Sequence, residues 1–283
     1  FNTPGRIQIG SPVAQALGTF NKTVGTRMIG SVFADYKIIP GLTFRTSFGA
    51  DVNYSKRSLY LSRNTATGTQ LSGQASIINT QSSTWLNENT LTYNKTFGNV
   101  HNLTFLAGYT MQGNRFESVE ARSQGFANDI LTYENLGSAS TALVPASSAS
   151  NWQLNSYIGR ANYDYAGKYL MTATVRADGS SRFGASNKWA VFPSASVAWR
   201  LSEEDFLKGN NVINDLKLRV SYGLSGNQEI PQYQSLATLG TQNANFNNTV
   251  VIGIGPSRVA NPDLRWETTA QFDVGVDVGV LNN

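Results

Sequence analysis

The sequence predicts an all-β fold, and in particular part of an antiparallel transmembrane β-barrel. Long stretches alternate apolar and polar residues with a period of two, and every charge inside them lies on the polar side. In the clearest stretch, residues 42–55, Phe44 and Phe48 share one face, whereas Arg45 and Asp51 share the other. Since successive side chains of a strand point to opposite faces, such a strand has one apolar wall and one polar wall.

Nine stretches follow this pattern. They are residues 26–38, 42–55, 84–95, 102–112, 152–165, 169–178, 188–201, 216–225 and 265–279. Strands of globular sheets usually contain about 5 or 6 residues, whereas a tilted strand needs about 9 to 11 to cross a bilayer. No apolar run reaches the roughly 18 residues that a membrane-spanning helix requires. Any crossing is therefore expected to use strands.

The connections between these strands alternate in length. Short ones lie at residues 39–41, 96–101 and 166–168, and long ones, rich in Ser, Asn, Thr and Gly, lie at 56–83, 113–151 and 226–264. Outer-membrane barrels have short periplasmic turns and long external loops, so the first strand is expected to run toward the periplasm. The connection at 202–215 is long for the periplasmic side, and its apolar spacing predicts a short helix there.

Charged residues on the polar face are the candidates for lining a water-filled lumen. They are Arg45, Asp51, Arg160, Asp164, Arg176, Arg200, Lys217, Arg219, Glu267 and Asp273. The opposite, uncharged face is expected to contact lipid, and its residues include Met171, Val175, Val197, Val220 and Val274.

Aromatic residues fall near the strand ends in two bands, where amphipathic rings are expected to contact lipid headgroups. The external band comprises Tyr54, Tyr109, Trp189, Tyr222 and Trp266. The periplasmic band comprises Tyr36, Tyr163, Tyr165, Tyr169 and Trp199. A soluble antiparallel sandwich would explain the alternation with a buried apolar core, but it gives no reason for sorting aromatic rings by depth.

The composition excludes several kinds of chemistry. Cysteine is absent and His101 is the only histidine, so thiol catalysis and the common zinc sites are excluded. We expect no catalytic residues, no metal and no cofactor, and we expect His101 to be a surface residue of the 97–102 turn. The net charge is +4 and the basic residues are scattered singly, which does not favour a nucleic-acid partner.

Four long runs resemble one family. KYLMTATVRADGSSRFG at 168–184, KWAVFPSASVAWRLSEEDFL at 188–207, DLKLRVSYGLSGNQEIPQY at 215–233 and NPDLRWETTAQFDVGVD at 261–277 resemble the barrel of SusC/RagA-type TonB-dependent outer-membrane transporters. Residues 86–112 and 156–165 fit as well, so the similarity spans nearly the whole chain.

This resemblance implies that residues 1–283 are an internal part of one barrel domain with about 22 strands. A plug domain, a TonB box and the last barrel strands are then expected to lie outside this sequence. It further implies a non-enzymatic importer of oligosaccharides or peptides in the outer membrane of a Gram-negative bacterium. Its partners would be a SusD-like lipoprotein lid and the TonB, ExbB and ExbD proteins, which act through the plug. A passive porin and a soluble glycan-binding β-sandwich remain the alternatives.

Overall fold

A computed structural model of the chain describes residues 11–209, 212–247 and 249–281. Twelve strands lie in this part of the chain. They are β1 (Thr19–Ile39), β2 (Leu42–Leu61), β3 (Gln74–Phe97), β4 (His101–Phe126), β5 (Ala139–Ala142), β6 (Ala146–Tyr165), β7 (Tyr169–Ser180), β8 (Trp189–Arg200), β9 (Ile213–Asn227), β10 (Thr238–Phe246), β11 (Thr249–Arg258) and β12 (Glu267–Val280).

Helical structure is confined to short segments. The α-helices are α1 (Pro12–Gly18) and α2 (Ala66–Leu71), and 3-10 turns lie at Leu136–Ser138 and Leu201–Glu203. Thr65 caps α2 because its hydroxyl accepts a hydrogen bond from the backbone N–H of Gly68 at 3.0 Å. Within the described ranges, no helix has the length and apolar character required to cross a membrane.

Ten strands form one sheet, in the order β1-β2-β3-β4-β6-β7-β8-β9-β12, with β5 paired to β4. The pairs from β6 through β9 to β12 are antiparallel, and each joins strands that are neighbours in this order. The hairpin of β10 and β11 forms a separate two-stranded sheet. The structure therefore has the antiparallel, nearly all-β character that the sequence predicts.

Contacts divide the chain into two units. The first comprises Phe1–Gly30, Ala50–Thr84 and Asn114–Asn151, and the second comprises Ser31–Gly49, Trp85–Gly113 and Trp152–Asn283. Within the described part of the first unit, Tyr60, Ala75 and Phe126 form a small buried cluster. Within the described part of the second unit, the buried hydrophobic side chains are Phe183 and Phe192.

All nine predicted strands occur, as β1 to β4, β6 to β9 and β12, but the count of nine is too low, because the described residues contain twelve strands. The additional strands β5, β10 and β11 lie in segments that the sequence assigns to long loops. Several predicted strands are also longer than expected: β3 begins at Gln74 and β4 continues to Phe126. The β3 extension is rich in Ser, Asn and Gln, the β4 extension carries several charged residues, and neither shows an apolar alternation, so only cross-strand hydrogen bonding reveals them.

The helix predicted within 202–215 is also wrong. A 3-10 turn occupies Leu201–Glu203, turns follow to residue 209, and β9 begins at Ile213. Residues 210 and 211 of the predicted helix lie outside the described residues. Gly209 adopts a φ of +80°, in the left-handed region, so an α-helix cannot continue through this segment.

The apolar face of the sheet is exposed. Val175, Val197, Val220 and Val274 retain between 39% and 66% of their accessible surface. In a β-sandwich a second sheet would bury this face, because burial of apolar surface is what holds the two sheets together. The exposed face therefore contradicts the sandwich alternative.

Candidate functional site

Strand register brings the predicted polar-face residues of the second unit to one side of the sheet. Arg160 lies opposite Thr174, which lies opposite Ser194, and Ile158 lies opposite Arg176. Residues directly opposite each other in neighbouring strands share a face. The expected sidedness of these strands is confirmed, whereas contact of this face with a lumen stays a prediction.

The other face carries the predicted apolar set. Met171 lies opposite Val197, Val197 opposite Val220, and Val220 opposite Val274. The register thus joins four strands into one continuous uncharged row. Such a row has the chemistry of a surface in contact with hydrocarbon.

Charges on the polar face form close ion pairs. In the first unit, Arg27 Nη2 lies 2.6 Å from Asp51 Oδ2. In the second unit, Arg45 Nε lies 2.6 Å from Asp35 Oδ1. The sequence predicts Arg45 and Asp51 on the polar face, but only cross-strand distances reveal their partners, Asp35 and Arg27. Exposed pairs of this kind contribute little to stability, so their main effect is to hold the side chains in place.

A second pairing joins β9 and β12. The carboxylate of Asp277 forms two ion pairs, with Arg219 Nη2 at 2.7 Å and with Lys217 Nζ at 3.2 Å. Asp273 is 3.5 Å from the hydroxyl of Ser221. Three of the candidate lumen residues, Lys217, Arg219 and Asp273, are therefore neighbours on these two strands.

The remaining candidates have local partners. Arg176 Nε donates to both carboxylate oxygens of Asp178, at 2.7 and 2.9 Å, and Glu267 accepts a hydrogen bond from the side chain of Asn227 at 3.0 Å. Asp164 accepts the backbone N–H of Gly167 at 2.7 Å. Asp164 therefore stabilises the turn between β6 and β7.

Arg200 has a different environment from the other candidates. Its Nε is buried and makes no hydrogen bond within the described residues, and the nearest carboxylate, that of Asp215, is 3.8 Å away. The Arg200 side chain as a whole is 37% exposed, and its contact with Asp215 is a long ion pair, so only the Nε atom is enclosed.

Aromatic rings of the second unit stack across strands at two levels. Tyr157 stacks on Tyr109 at 4.8 Å and on Trp189 at 5.8 Å. At the other level, Tyr169 lies between Tyr165 at 6.3 Å and Trp199 at 6.2 Å. Two rows of rings at separate levels agree with the sequence pattern, and their contact with lipid headgroups stays a prediction.

His101 belongs to this second row. It is the first residue of β4, its ring stacks on Phe97 at 4.8 Å, and its Nδ1 lies 2.7 Å from the hydroxyl of Tyr163. The description of His101 as a simple turn residue is therefore incomplete, because the ring is partly buried among aromatic neighbours.

Trp266 departs from the external band. Its ring contacts Phe192 at 5.4 Å and Phe183 at 4.9 Å, and its Nε1 donates to the carbonyl oxygen of Lys188 at 2.8 Å. Phe192 lies opposite Arg176 in the register, so it belongs to the charged face. Trp266 precedes the first residue of β12, and the period-two rule therefore does not fix the direction of its side chain.

A cluster that the sequence did not predict surrounds Glu204. The carboxylate accepts hydrogen bonds from Tyr169 Oη at 2.8 Å, Trp199 Nε1 at 3.0 Å and Lys168 Nζ at 3.0 Å. These hydrogen bonds, that from Tyr169 first, lower the pKa of the Glu204 carboxyl below its usual value against the smaller effect of burial. The cluster connects the turn after β8 to the turn before β7.

A second unpredicted cluster lies in the first unit. The hydroxyl of the buried Tyr60 donates to Asp129 Oδ1 at 2.6 Å, and Arg63 Nε lies 3.5 Å from Asp129 Oδ2. Burial acts to raise the pKa of Asp129, but the hydrogen bonds from Tyr60 and Arg63 outweigh it and lower this pKa. Hydrogen bonds between residues so distant in sequence leave no local pattern in the chain.

Acidic and histidine side chains are not grouped for metal binding. Across residues 11–209, 212–247 and 249–281, no three of them cluster closely enough to hold an ion. Several arginines and carboxylates on the charged face are paired with one another, as Arg45 is with Asp35 and Arg219 with Asp277, and this arrangement suits weak, reversible polar contacts.

The sequence decides the family. Residues 10–283 match the family described as "TonB dependent receptor-like, beta-barrel". The chain belongs to this family. The predicted barrel fold and the predicted resemblance are thereby confirmed.

Named relatives of this TonB-dependent receptor chain include TonB-dependent receptor P3 of Formosa agariphila. The two are 36% identical over 275 residues, which cover 97% of the chain and 27% of P3. TonB-dependent receptor SusC of Bacteroides thetaiotaomicron is 42% identical over 134 residues, which cover 46% of the chain and 13% of SusC.

The fold of this receptor chain is similar to that of the RagAB peptide transporter. The TM-score is 0.86 at 28% identity, and the match covers 95% of this chain and 29% of the other. The "closed-closed" state of the RagAB peptide importer matches with a TM-score of 0.85. These relatives are receptors and transporters and not enzymes. The chain spans little more than a quarter of their length, 27% of P3 and 29% of the RagAB chain.

Proposed function

We propose that the chain forms part of the wall of an outer-membrane importer, as a portion of one TonB-dependent receptor barrel domain. The observation that carries this proposal is the division of the sheet into two chemically distinct faces. Uncharged residues such as Val197 and Val220 lie on one face, and charged residues such as Arg219 and Asp277 lie on the other. In the proposed importer the first face contacts lipid and the second lines the lumen.

The proposed lumen face contributes contacts and not covalent chemistry. Candidate residues Arg45, Asp51, Lys217 and Arg219 are held by ion pairs at the surface. A passing solute meets ordered but exposed charges, and such contacts are weak enough to release it. Weak contacts favour transport over tight retention.

Membrane lipid is the proposed partner of the opposite face. The two rows of stacked rings, Tyr109–Tyr157–Trp189 and Tyr165–Tyr169–Trp199, supply amphipathic groups at two levels of the sheet. Rings of this kind collect at the boundary between headgroups and acyl chains. This arrangement supports a location in the outer membrane of a Gram-negative bacterium.

The family of the chain suggests an energy source for import and a lipoprotein that covers the external side of the barrel. SusC and the RagAB peptide importer are relatives of the chain. We infer that the complete protein works with a SusD-like lipoprotein at its external side, and with TonB, ExbB and ExbD through a plug. Oligosaccharides and peptides are the proposed substrate classes, and no nucleic acid is expected to bind.

Uptake by living cells tests the proposal. A bacterium whose gene for the complete protein is deleted should lose uptake of labelled oligopeptides or oligosaccharides, and restored expression should return it. A protonophore should abolish the restored uptake, because TonB draws on the inner-membrane proton gradient. Uptake that survives the protonophore would instead favour the passive porin, in which no plug is driven.

A further inference from the structure

We propose that the charged face carries a binding site for the carboxyl end of a peptide, in a cavity of about 460 Å³ in the second unit. The proposal deepens the proposed import function, names one substrate class for it, and rests on it. The cavity is lined by Arg160, Arg176, Ile158, Leu154, Gln228 and their neighbours on β6, β7, β8 and the end of β9.

Arg160 supplies a cation with free donors. Its Nε donates to the hydroxyl of Thr174 at 3.1 Å, and it forms no ion pair with any residue in the described part of the chain. Candidates such as Arg45 and Arg219 are, in contrast, paired with carboxylates. The terminal nitrogens of Arg160 are therefore available to a ligand, and the planar guanidinium group matches the two oxygens of a carboxylate.

The other charges in the cavity do not neutralise Arg160. Arg176 is engaged by Asp178 at 2.7 Å and also donates to the hydroxyl of Ser156 at 2.9 Å. Arg176 and Asp178 cancel each other, so the cavity retains the positive charge of Arg160. A cavity with one unpaired cation favours an anionic group.

The side chain of Gln228 supplies a hydrogen-bond acceptor to which no donor is bound. Its Oε1 is buried and has no hydrogen-bond partner among the described residues. The backbone around it is fixed, because Arg182 Nη1 donates to the carbonyl oxygens of Gln228 at 3.1 Å and Ile230 at 3.0 Å. The Arg182 side chain is only 8% exposed. Gln228 lies in the wall of the cavity, so its unpaired Oε1 can accept an N–H of a ligand, and a peptide backbone carries such donors.

The remaining wall favours a peptide over a sugar. Leu154 and Ile158, which share the face of Arg160, give the cavity an apolar side that fits an aliphatic side chain. Phe192 is only 6% exposed and its ring is covered edge-on by Trp266. Sugar binding commonly uses an open aromatic ring face, whereas the two aromatic rings in this wall, Phe192 and Trp266, contact each other, and Trp266 also contacts Phe183. A carboxylate, a backbone N–H and an aliphatic side chain occur together at the carboxyl end of a peptide.

Binding to the complete receptor, purified in detergent, tests this assignment. The probes are the pentapeptide Gly-Ala-Gly-Ala-Leu with a free carboxyl end and the same peptide as its carboxamide, measured by calorimetry. The free acid should bind about tenfold more tightly than the amide, since a charge-assisted hydrogen bond is lost in the amide. The variant R160Q should remove this difference, and R160K should restore part of it.

Lys188→Gln is the matched control, because it removes the same charge from an exposed side chain outside the cavity. It should keep the tenfold preference. Retention of the native mobility of unheated samples in gels shows that each variant is folded. Equal binding of acid and amide to the native receptor, or an unchanged preference in folded R160Q, would overturn the proposal.

Two further results separate this proposal from its alternatives. An oligosaccharide of uronic acids that binds through Arg160, together with no binding of either peptide, would overturn the peptide assignment. Failure of the cells to import any labelled solute would instead contradict the proposed function, because the binding measurement on purified receptor does not depend on energy.

Discussion

The indole of Trp199 donates a hydrogen bond to the carboxylate of Glu204 across 3.0 Å. Trp199 is near the end of β8, and Glu204 lies in the turn that follows. Tyr169 and Lys168, at the start of β7, donate to the same carboxylate. One acidic side chain thus connects the ends of two adjacent strands, in a turn where no regular helix forms.

Replacing Glu204 with Gln should destabilise this end of the sheet. The amide carries no charge to hold Lys168, and one of its two terminal atoms is a donor that faces other donors. We expect a lower urea midpoint for unfolding of the complete receptor in lipid vesicles. Glu203→Gln is the control, because Glu203 has no hydrogen bond to a described residue. Equal effects of the two substitutions would contradict the role of Glu204.

The contribution of Glu204 should depend on pH in a defined direction. Its pKa is lowered in the folded protein, first by the hydrogen bond from Tyr169, so unfolded chains take up the proton at higher pH than folded ones. The stabilisation is complete above the ordinary pKa of a glutamate and is lost as the pH falls through the lower folded pKa. The difference in melting temperature between the native receptor and Glu204→Gln should therefore narrow between about pH 7 and pH 3. A difference that stays constant would contradict the lowered pKa.

A charge on the apolar face should be costly. Val220 lies near the middle of β9, opposite Val197 on one side and Val274 on the other. Val220→Arg is expected to reduce the free energy of unfolding in bilayers by roughly 2 to 4 kcal/mol, because a cation then faces hydrocarbon. Urea titration of the complete receptor in vesicles measures this loss.

Ser221→Arg provides the matched control for that substitution. Ser221 is the next residue of the same strand, lies on the charged face and is 3.5 Å from Asp273. An arginine there meets a carboxylate and water, so its cost should stay within about 0.5 kcal/mol. Equal losses for Val220→Arg and Ser221→Arg would mean that the two faces do not differ in environment.

The hydroxyl of Tyr60 should hold the loop that contains Asp129. Tyr60→Phe removes the 2.6 Å hydrogen bond but leaves the buried ring and its edge contact with Phe126. Loss of a hydrogen bond to a charged group, here to a partly exposed one, costs about 1 to 2 kcal/mol. Opening of the loop at residues 127–135 should become about fivefold to thirtyfold more frequent.

Limited proteolysis of the complete receptor reports that opening, because cleavage follows the open population of a loop. Tyr54→Phe is the control, since Tyr54 is 43% exposed. Cleavage at the same rate in both variants would show that the Tyr60 hydroxyl does not restrain the loop.

The sequence predicts sidedness well because the period of a strand is fixed by its geometry. The pairs Met171–Val197 and Val220–Val274 were both expected on the apolar face, and the register places them there. The same rule fails at Trp266, which lies just before β12. Outside a strand no fixed period determines where a side chain points.

Strand length and side-chain partners are predicted less well for a different reason. The extension of β4 to Phe126 includes Arg115, Glu117 and Glu120, and such charges end a pattern based on apolar residues. Backbone hydrogen bonds to a neighbouring strand maintain this extension, and they depend on residues far away in the sequence. The contacts of Glu204 and of Tyr60 are long-range in the same sense, so no local pattern predicts them.

Site-directed spin labelling of the complete receptor in lipid vesicles tests the central claim most directly. Labels at Val197 and Val274 should be relaxed by oxygen dissolved in the lipid and protected from a water-soluble nickel complex. Labels at Arg219 and Asp273 should show the reverse accessibility. Water contact at Val197 and Val274 together with lipid contact at Arg219 and Asp273 would contradict the assignment of the two faces, and the importer wall with it.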